Sequence, residues 1–159
     1  MQTEEYARAL LKAHHPPLDD EIIEERVAAR LERQELLVRK PTAQFGFVIE
    51  EITLRRPVGG TEVMKRQLRQ LLERGELRNV AIQVLPTSRG AHAGVNGPLV
   101  LLETPDHQHF AFVEGQATSM LHSSPGDVSV LARRHAMIVR QALGIEESTR
   151  FIREVAEEL

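Results

Sequence analysis

The sequence predicts an α+β fold, α/β-like in its middle: a mixed sheet of four to five strands flanked by helices, with helices at both termini. Three observations predict it. Apolar residues recur every three or four positions near both ends of the chain, the spacing of a helix with one buried face. Four short runs between residues 44 and 115 have instead the length and composition of strands. The first two of these runs enclose a helical segment, which favours a parallel pair with a right-handed crossover, and the later ones follow closely enough for an antiparallel meander. At 159 residues the chain suits one domain with a substantial core, so residues 1–159 are read as a single effector or partner-binding domain.

Each element has a local reason. Thr3 caps a first helix to about Ala13, and "HHPP" ends it because proline disfavours helix at the residue before it. Leu18 and Asp19 make a staple and cap for a long second helix, with Ile23, Val27 and Leu31 on one face, Glu35 and Arg39 paired near its end, and Pro41 as its stop. "QFGFVIEE" (44–51) is the first strand, with Phe45, Phe47 and Ile49 on one side. "ITLRRPVGG" reads as one helical turn and a glycine loop. Thr61 caps a helix from Glu62 to Arg74, buried through Met64, Leu68 and Leu71, with Gly75 past its end. "VAIQVLP", "PLVLLE" and "HFAFVEG" are three further strands, the last two joined by a hairpin at "TPDHQ". Pro125 opens a helix to Leu143, and a final helix starts near Glu146.

Composition removes several classes of function. The chain has no cysteine, so disulfides, thiolate catalysis and Cys-based metal sites are excluded. Aromatic residues make up only 4%, leaving Leu, Val, Ile and Ala to build the core. The net charge of −3 is spread through mixed helices, without the Lys and Arg clusters that hold phosphates, so this chain alone is not expected to bind DNA. No run approaches the roughly 20 apolar residues of a membrane span, and no basic-then-apolar start suggests a leader. The chain is read as cytoplasmic. Only Lys12, Lys40 and Lys65 are lysine, an arginine bias that suits a GC-rich genome.

The candidate chemistry gathers around "QVLPTSRGAHAGVNGP" (83–98), where a strand runs into proline, glycines and His92. Glycines there allow tight turns or close backbone approach. The loop is not a P-loop, since it lacks the Gly-Lys-Ser/Thr ending. Glu50 and Glu51 close the first strand and Glu114 the fourth, while Arg55 and Arg56 stand nearby as ion-pair partners. Arg55 is expected to satisfy a buried carboxylate with two parallel hydrogen bonds. The "DHQH" run (106–109) has two histidines, His107 and His109, but no third ligand at a metal-site spacing, so neither a metal nor a cofactor is expected. His135 falls on an apolar helix stripe with Val128, Leu131, Ile138 and Val139, as a core histidine does.

Six segments, "QTEEYARALL", "ERVAARLERQELL", "RRPVGGTEVMKRQLRQLLE", "NVAIQVLP", "GAHAGVNGP" and "FVEG", together resemble one family. They look like the C-terminal domain of actinobacterial antitoxin-like transcriptional regulators, the WhiJ-like group, over essentially the whole chain. In that family an XRE-type helix-turn-helix precedes the domain, which is usually described as a domain of unknown function, and a small partner protein is often encoded next door. The resemblance implies a sensing or partner-binding role. No helix-turn-helix is read in these residues, so the N-terminal helix-turn-helix is expected to be absent and contact with DNA is expected only through that missing part. Matching motifs residue by residue picks out Glu51, Leu54 and Arg55, then Gln83 and Pro86, then His92, Gly94 and Gly97, and finally Glu114. The expected ligand- or partner-binding set is Glu51, Arg55, Gln83, His92 and Glu114, with residues 87–97 roofing a polar recess.

Three functions compete at this level. The first is a non-catalytic regulatory module that binds a small protein or a small-molecule ligand. The second is a hydrolase-like enzyme using Glu51, Glu114 and His92, although no catalytic signature supplies a nucleophile. The third is a purely structural dimerisation domain, a homodimer. A recess lined by the polar set favours the first two; a flat apolar face favours the third.

Overall fold

The computed structural model describes residues 1–115 and 118–159. The elements are α1 (Glu4–Lys12), α2 (Asp20–Gln34), α3 (Leu36–Arg39), β1 (Phe45–Glu50), α4 (Glu51–Arg55), α5 (Thr61–Gly75), β2 (Val80–Leu85), β3 (Leu99–Glu103), β4 (His109–Glu114), β5 (Ser119–His122), α6 (Pro125–Gln141) and α7 (Ile145–Glu158). The class is α+β with helical ends, as the periodicity predicts. No described helix is long and apolar enough to cross a membrane. Chain contacts divide the described residues into two compact units, Met1–Val84 with Leu143–Leu159, and Leu85–Ala142.

The strands depart from the expected single mixed sheet. β1 and β2 form a two-stranded sheet, and β3, β4 and β5 form a separate three-stranded one. The reason lies at Val84. Its carbonyl accepts from the Leu143 amide at 2.8 Å, and its amide donates to the Ser148 hydroxyl at 2.9 Å. The edge of β2 that another strand would have needed is therefore already occupied by the α6–α7 connection. At the other end, the Phe45 amide donates to the Asn79 carbonyl at 2.8 Å, joining β1 and β2 at their leading ends as a parallel crossover requires.

In the first unit α5 and α7 pack together, and α1 packs on both α2 and α5. Leu54, Met64, Leu68, Val84, Ile152 and Val155 form the centre of its larger core, all but excluded from solvent. Ala7, Leu11, Ile23 and Val27 form a smaller one, with Leu18 and Leu31 against it, which is where the predicted staple belongs. Thr3 caps α1 as expected, its hydroxyl accepting from the Tyr6 amide at 3.2 Å. Two boundaries differ. The long second helix is interrupted at Glu35, and the cap of α5 is Gly60 rather than Thr61. Gly60 has φ +91°, and its neighbour Gly59 has φ +73° with a Cβ position only 3.0 Å from the Ala9 Cβ. Only glycine combines that backbone with that approach of α1.

In the second unit the three strands are antiparallel, with Leu101 opposite Ala111 and Ala111 opposite His122. One face of this sheet packs on α6, where Leu99, Leu101, Ala111 and Val113 meet Val128 and Leu131. The predicted hairpin is present. The Thr104 amide donates to the Gln108 carbonyl at 2.9 Å, and the His107 amide to the Thr104 carbonyl at 2.9 Å. Ser124 caps α6 by accepting from the Asp127 amide at 3.3 Å, with Pro125 at the first helical position.

Candidate functional site

The five residues expected to bind a ligand or partner fall in both units. Glu51, Arg55 and Gln83 belong to the first, His92 and Glu114 to the second.

Glu51 and Arg55 lie one turn apart at the two ends of α4, a spacing that brings oppositely charged side chains together. Arg55 Nε donates to Glu51 Oε1 at 2.6 Å, and Nη1 donates to Glu158 Oε2 at 2.6 Å. The guanidinium also lies 5.4 Å from the centre of the Phe151 ring. The hydrogen bond to Glu51, then that to Glu158, raises the arginine pKa further, so the charge is fixed. This corrects the expected buried, two-pronged pair. The arginine divides its donors between two carboxylates, and its side chain is 41% exposed. Replacing Arg55 by Ala should accordingly lower stability by only about 1 kcal/mol, the scale of an exposed ion-pair network. Urea unfolding of the two proteins in low and high salt checks this, and the difference should shrink with salt.

Gln83 serves the fold. Its Nε2 donates to the Leu143 carbonyl at 2.8 Å, part of the clasp between β2 and the start of α7.

The loop at 87–97 is held by the far end of α6. Thr87–Arg89 make one 3₁₀ turn, and Gly90 follows with φ +63°. Arg89 Nε donates to the Gln141 carbonyl at 2.9 Å, and the Ala93 amide donates to Gln141 Oε1 at 3.2 Å. His92 is half-buried, and its Nδ1 accepts from the Gly94 amide at 3.2 Å, so a neutral ring carries its proton on Nε2. The loop ends at Gly97, whose φ is +109° and whose Cβ position lies 3.4 Å from the Glu114 carbonyl oxygen. The Glu114 amide donates weakly to the Pro98 carbonyl at 3.4 Å. Within the second unit the loop thus does reach Glu114, by backbone.

What the sequence reading missed is the face of β3–β4–β5 turned away from α6. Val100 stands opposite Phe112, and Phe112 opposite Leu121, with Leu102 opposite Phe110 alongside. Val100 and Leu102 are each 56% exposed, Leu121 is 64% exposed and Phe112 is 36% exposed. Glu114, opposite Ser119, shares this face by strand alternation. A signal did exist in the sequence. "LVLL" (99–102) is apolar at successive positions, whereas a strand with one solvated face alternates.

At the hairpin tip His107 Nδ1 donates to Glu103 Oε1 at 2.7 Å. That hydrogen bond, assisted by the charges of His109 and His107, holds the Glu103 carboxyl below its ordinary pKa. A lowered carboxylate pKa contributes stability above the unfolded value and loses it as pH falls through the folded one. The protection factors of the amides at 104 and 106–108, taken relative to the intrinsic exchange rate at each pH, should therefore fall on acidification below the ordinary glutamate range, and Glu103→Gln should remove that pH response.

A family model described as a domain of unknown function, DUF5753, matches residues 1–154. No curated protein and no solved structure matches the chain.

Proposed function

We propose, for a chain that belongs to the DUF5753 family, the role of a non-catalytic regulatory module that binds a small protein partner. The setting we propose is an actinobacterial antitoxin-like transcriptional regulator, with contact to DNA made by a helix-turn-helix domain outside these residues. The observation that carries the reading is the outer face of β3–β4–β5. Val100, Leu102, Phe112 and Leu121 form a contiguous exposed apolar patch on the three-stranded sheet, and such patches mark interaction surfaces. Aromatic residues, Phe included, are enriched at the cores of interfaces, which makes Phe112 the anchor of this patch. Glu114 at its margin adds a charge that orients the partner, and it is the member of the expected set that this reading uses.

The regulatory reading is favoured over the enzyme on the chemistry of the candidate groups. The sequence carries no catalytic signature that would supply a nucleophile beside Glu51, Glu114 or His92. A dimerisation domain is the second reading, because the same flat face suits a second copy.

Copurification from the native host, with mass spectrometry and then titration of the recovered partner, tests the proposal. Phe112→Asp should weaken that partner at least about tenfold, as loss of a hot spot does, with circular dichroism unchanged. Unchanged affinity removes the reading. Sedimentation equilibrium decides between the two: a dimer that Phe112→Asp converts to monomer assigns the face to self-association.

A further inference from the structure

We propose that the cleft between the β3–β4 turn and the first turns of α6 binds a small organic acid, a carboxylate carried on a flat apolar body. The cleft lies wholly within the second unit, apart from the 87–97 loop, and of the residues set on the sheet's outer face only Phe110 borders it. Its volume is about 560 Å³, within the range of small-molecule sites.

The lining sets the class of ligand. Pro125, Val128 and Ala132 supply apolar walls, which suit the apolar body of the ligand. His107, His109 and Ser129 bring hydrogen-bonding groups to the same space. No carboxylate lines it, so a cationic ligand would find no partner. A purely apolar ligand would cover His109 and Ser129 without replacing their bonds to water, at a cost. Among the described residues no three His, Asp or Glu side chains cluster closely enough to hold a metal ion, so the imidazoles are read as hydrogen-bonding groups.

The acid is specified by His107. Its Nδ1–H is given to Glu103, which leaves Nε2 as the group that can meet a ligand. A neutral ring accepts the proton of a carboxylic acid there, and a charged ring donates to a carboxylate. Either way one proton is shared between Nε2 and a ligand oxygen, and the same hydrogen bond results. The start of α6 forms the opposite rim, and its helix dipole favours a negative group on that side. Asp127 in that turn is directed to Ser124 at 2.8 Å and lies 3.7 Å from His122 Nδ1.

The turn is built before any ligand arrives. The Thr104 hydroxyl donates to Asp106 and accepts from the Gln108 amide at 3.1 Å. His107 sits at φ +60°, a left-handed conformation uncommon for a residue with a side chain, and retained where surrounding contacts enforce it.

Titration of the full chain by ¹H–¹⁵N NMR tests the proposal, with 2-naphthoate as the probe and 2-naphthamide and 2-naphthylmethylammonium as neutral and cationic comparators. Naphthoate should give saturable shifts at residues 107–110 and 125–132, with a Kd at least about fivefold below either comparator, the worth of one good hydrogen bond. Ala132→Phe, which fills the cleft, should abolish saturation. His109→Gln alters an exposed side chain that the fold does not need, and should weaken naphthoate about fivefold without changing the dispersion of the spectrum. Three results overturn the proposal: no saturation by about 10 mM, equal binding of the amide or the amine, or full binding by His109→Gln.

Discussion

Replacing Asn79 by Asp should lower stability by about 3–5 kcal/mol, the scale of a buried charge left without a counter-ion. Asn79 is 4% exposed, and its Nδ2 donates to the carbonyls of Leu37 and Ala43, both at 3.1 Å, with that of Lys40 at 3.4 Å. Those carbonyls belong to the end of α3 and the turn into β1, so one amide group gathers the whole connection against the start of β2. Aspartate is nearly the same size, but it presents an oxygen where three carbonyl oxygens already point. The substituted carboxyl would take up a proton in the folded state, raising its pKa above the unfolded value of about 3.9. The sign follows. The variant is least impaired below that unfolded value and loses stability as pH rises through the raised one. Asn79→Ala, which removes the donor without adding a charge, should cost only about 1–3 kcal/mol and show no such pH dependence. Urea unfolding of the three proteins between pH 4 and 8 checks both statements, about the window these pKa values define. Equal losses for Asp and Ala would show that the carbonyls relax away.

The second large effect belongs to Ser148, which is fully buried in the first turn of α7. Its hydroxyl accepts from the Val84 amide at 2.9 Å and donates to the Gly144 carbonyl at 2.8 Å. Ser148→Ala removes one atom and leaves the Val84 N–H buried without that acceptor, so a loss of about 1–3 kcal/mol is expected. Ser148→Thr keeps the hydroxyl and adds a methyl group, and should restore the bond at the cost of crowding. Hydrogen exchange separates the two causes. The Val84 amide should exchange much faster in the Ala variant and remain protected in the Thr variant.

Neither residue was legible in the sequence. Asn79 reads as an ordinary polar residue before a strand, and Ser148 as one inside a helix, because their partners lie 36–42 and 64 positions away. The same holds for Arg55. Its bond to Glu51 follows from helical spacing, but Glu158 stands 103 positions distant and no local pattern points to it. Gln83 donates to the Leu143 carbonyl, 60 positions away, a contact that only chain reversal creates.

The sequence by itself determined the order and type of nearly every element, because helix and strand periods, proline stops and cap residues act within a few positions. It determined the α+β class, the helical ends, the "TPDHQ" hairpin and the crossover from β1 to β2. Tertiary structure decided how the strands group. The α6–α7 connection occupies the edge of β2 through Leu143 and Ser148, so β3, β4 and β5 form a sheet of their own rather than extending the first. It also decided which apolar residues face water. Leu101 and Leu102 are identical neighbours in sequence, yet α6 covers the face of one and leaves the other 56% exposed, because only one side of a three-stranded sheet meets that helix.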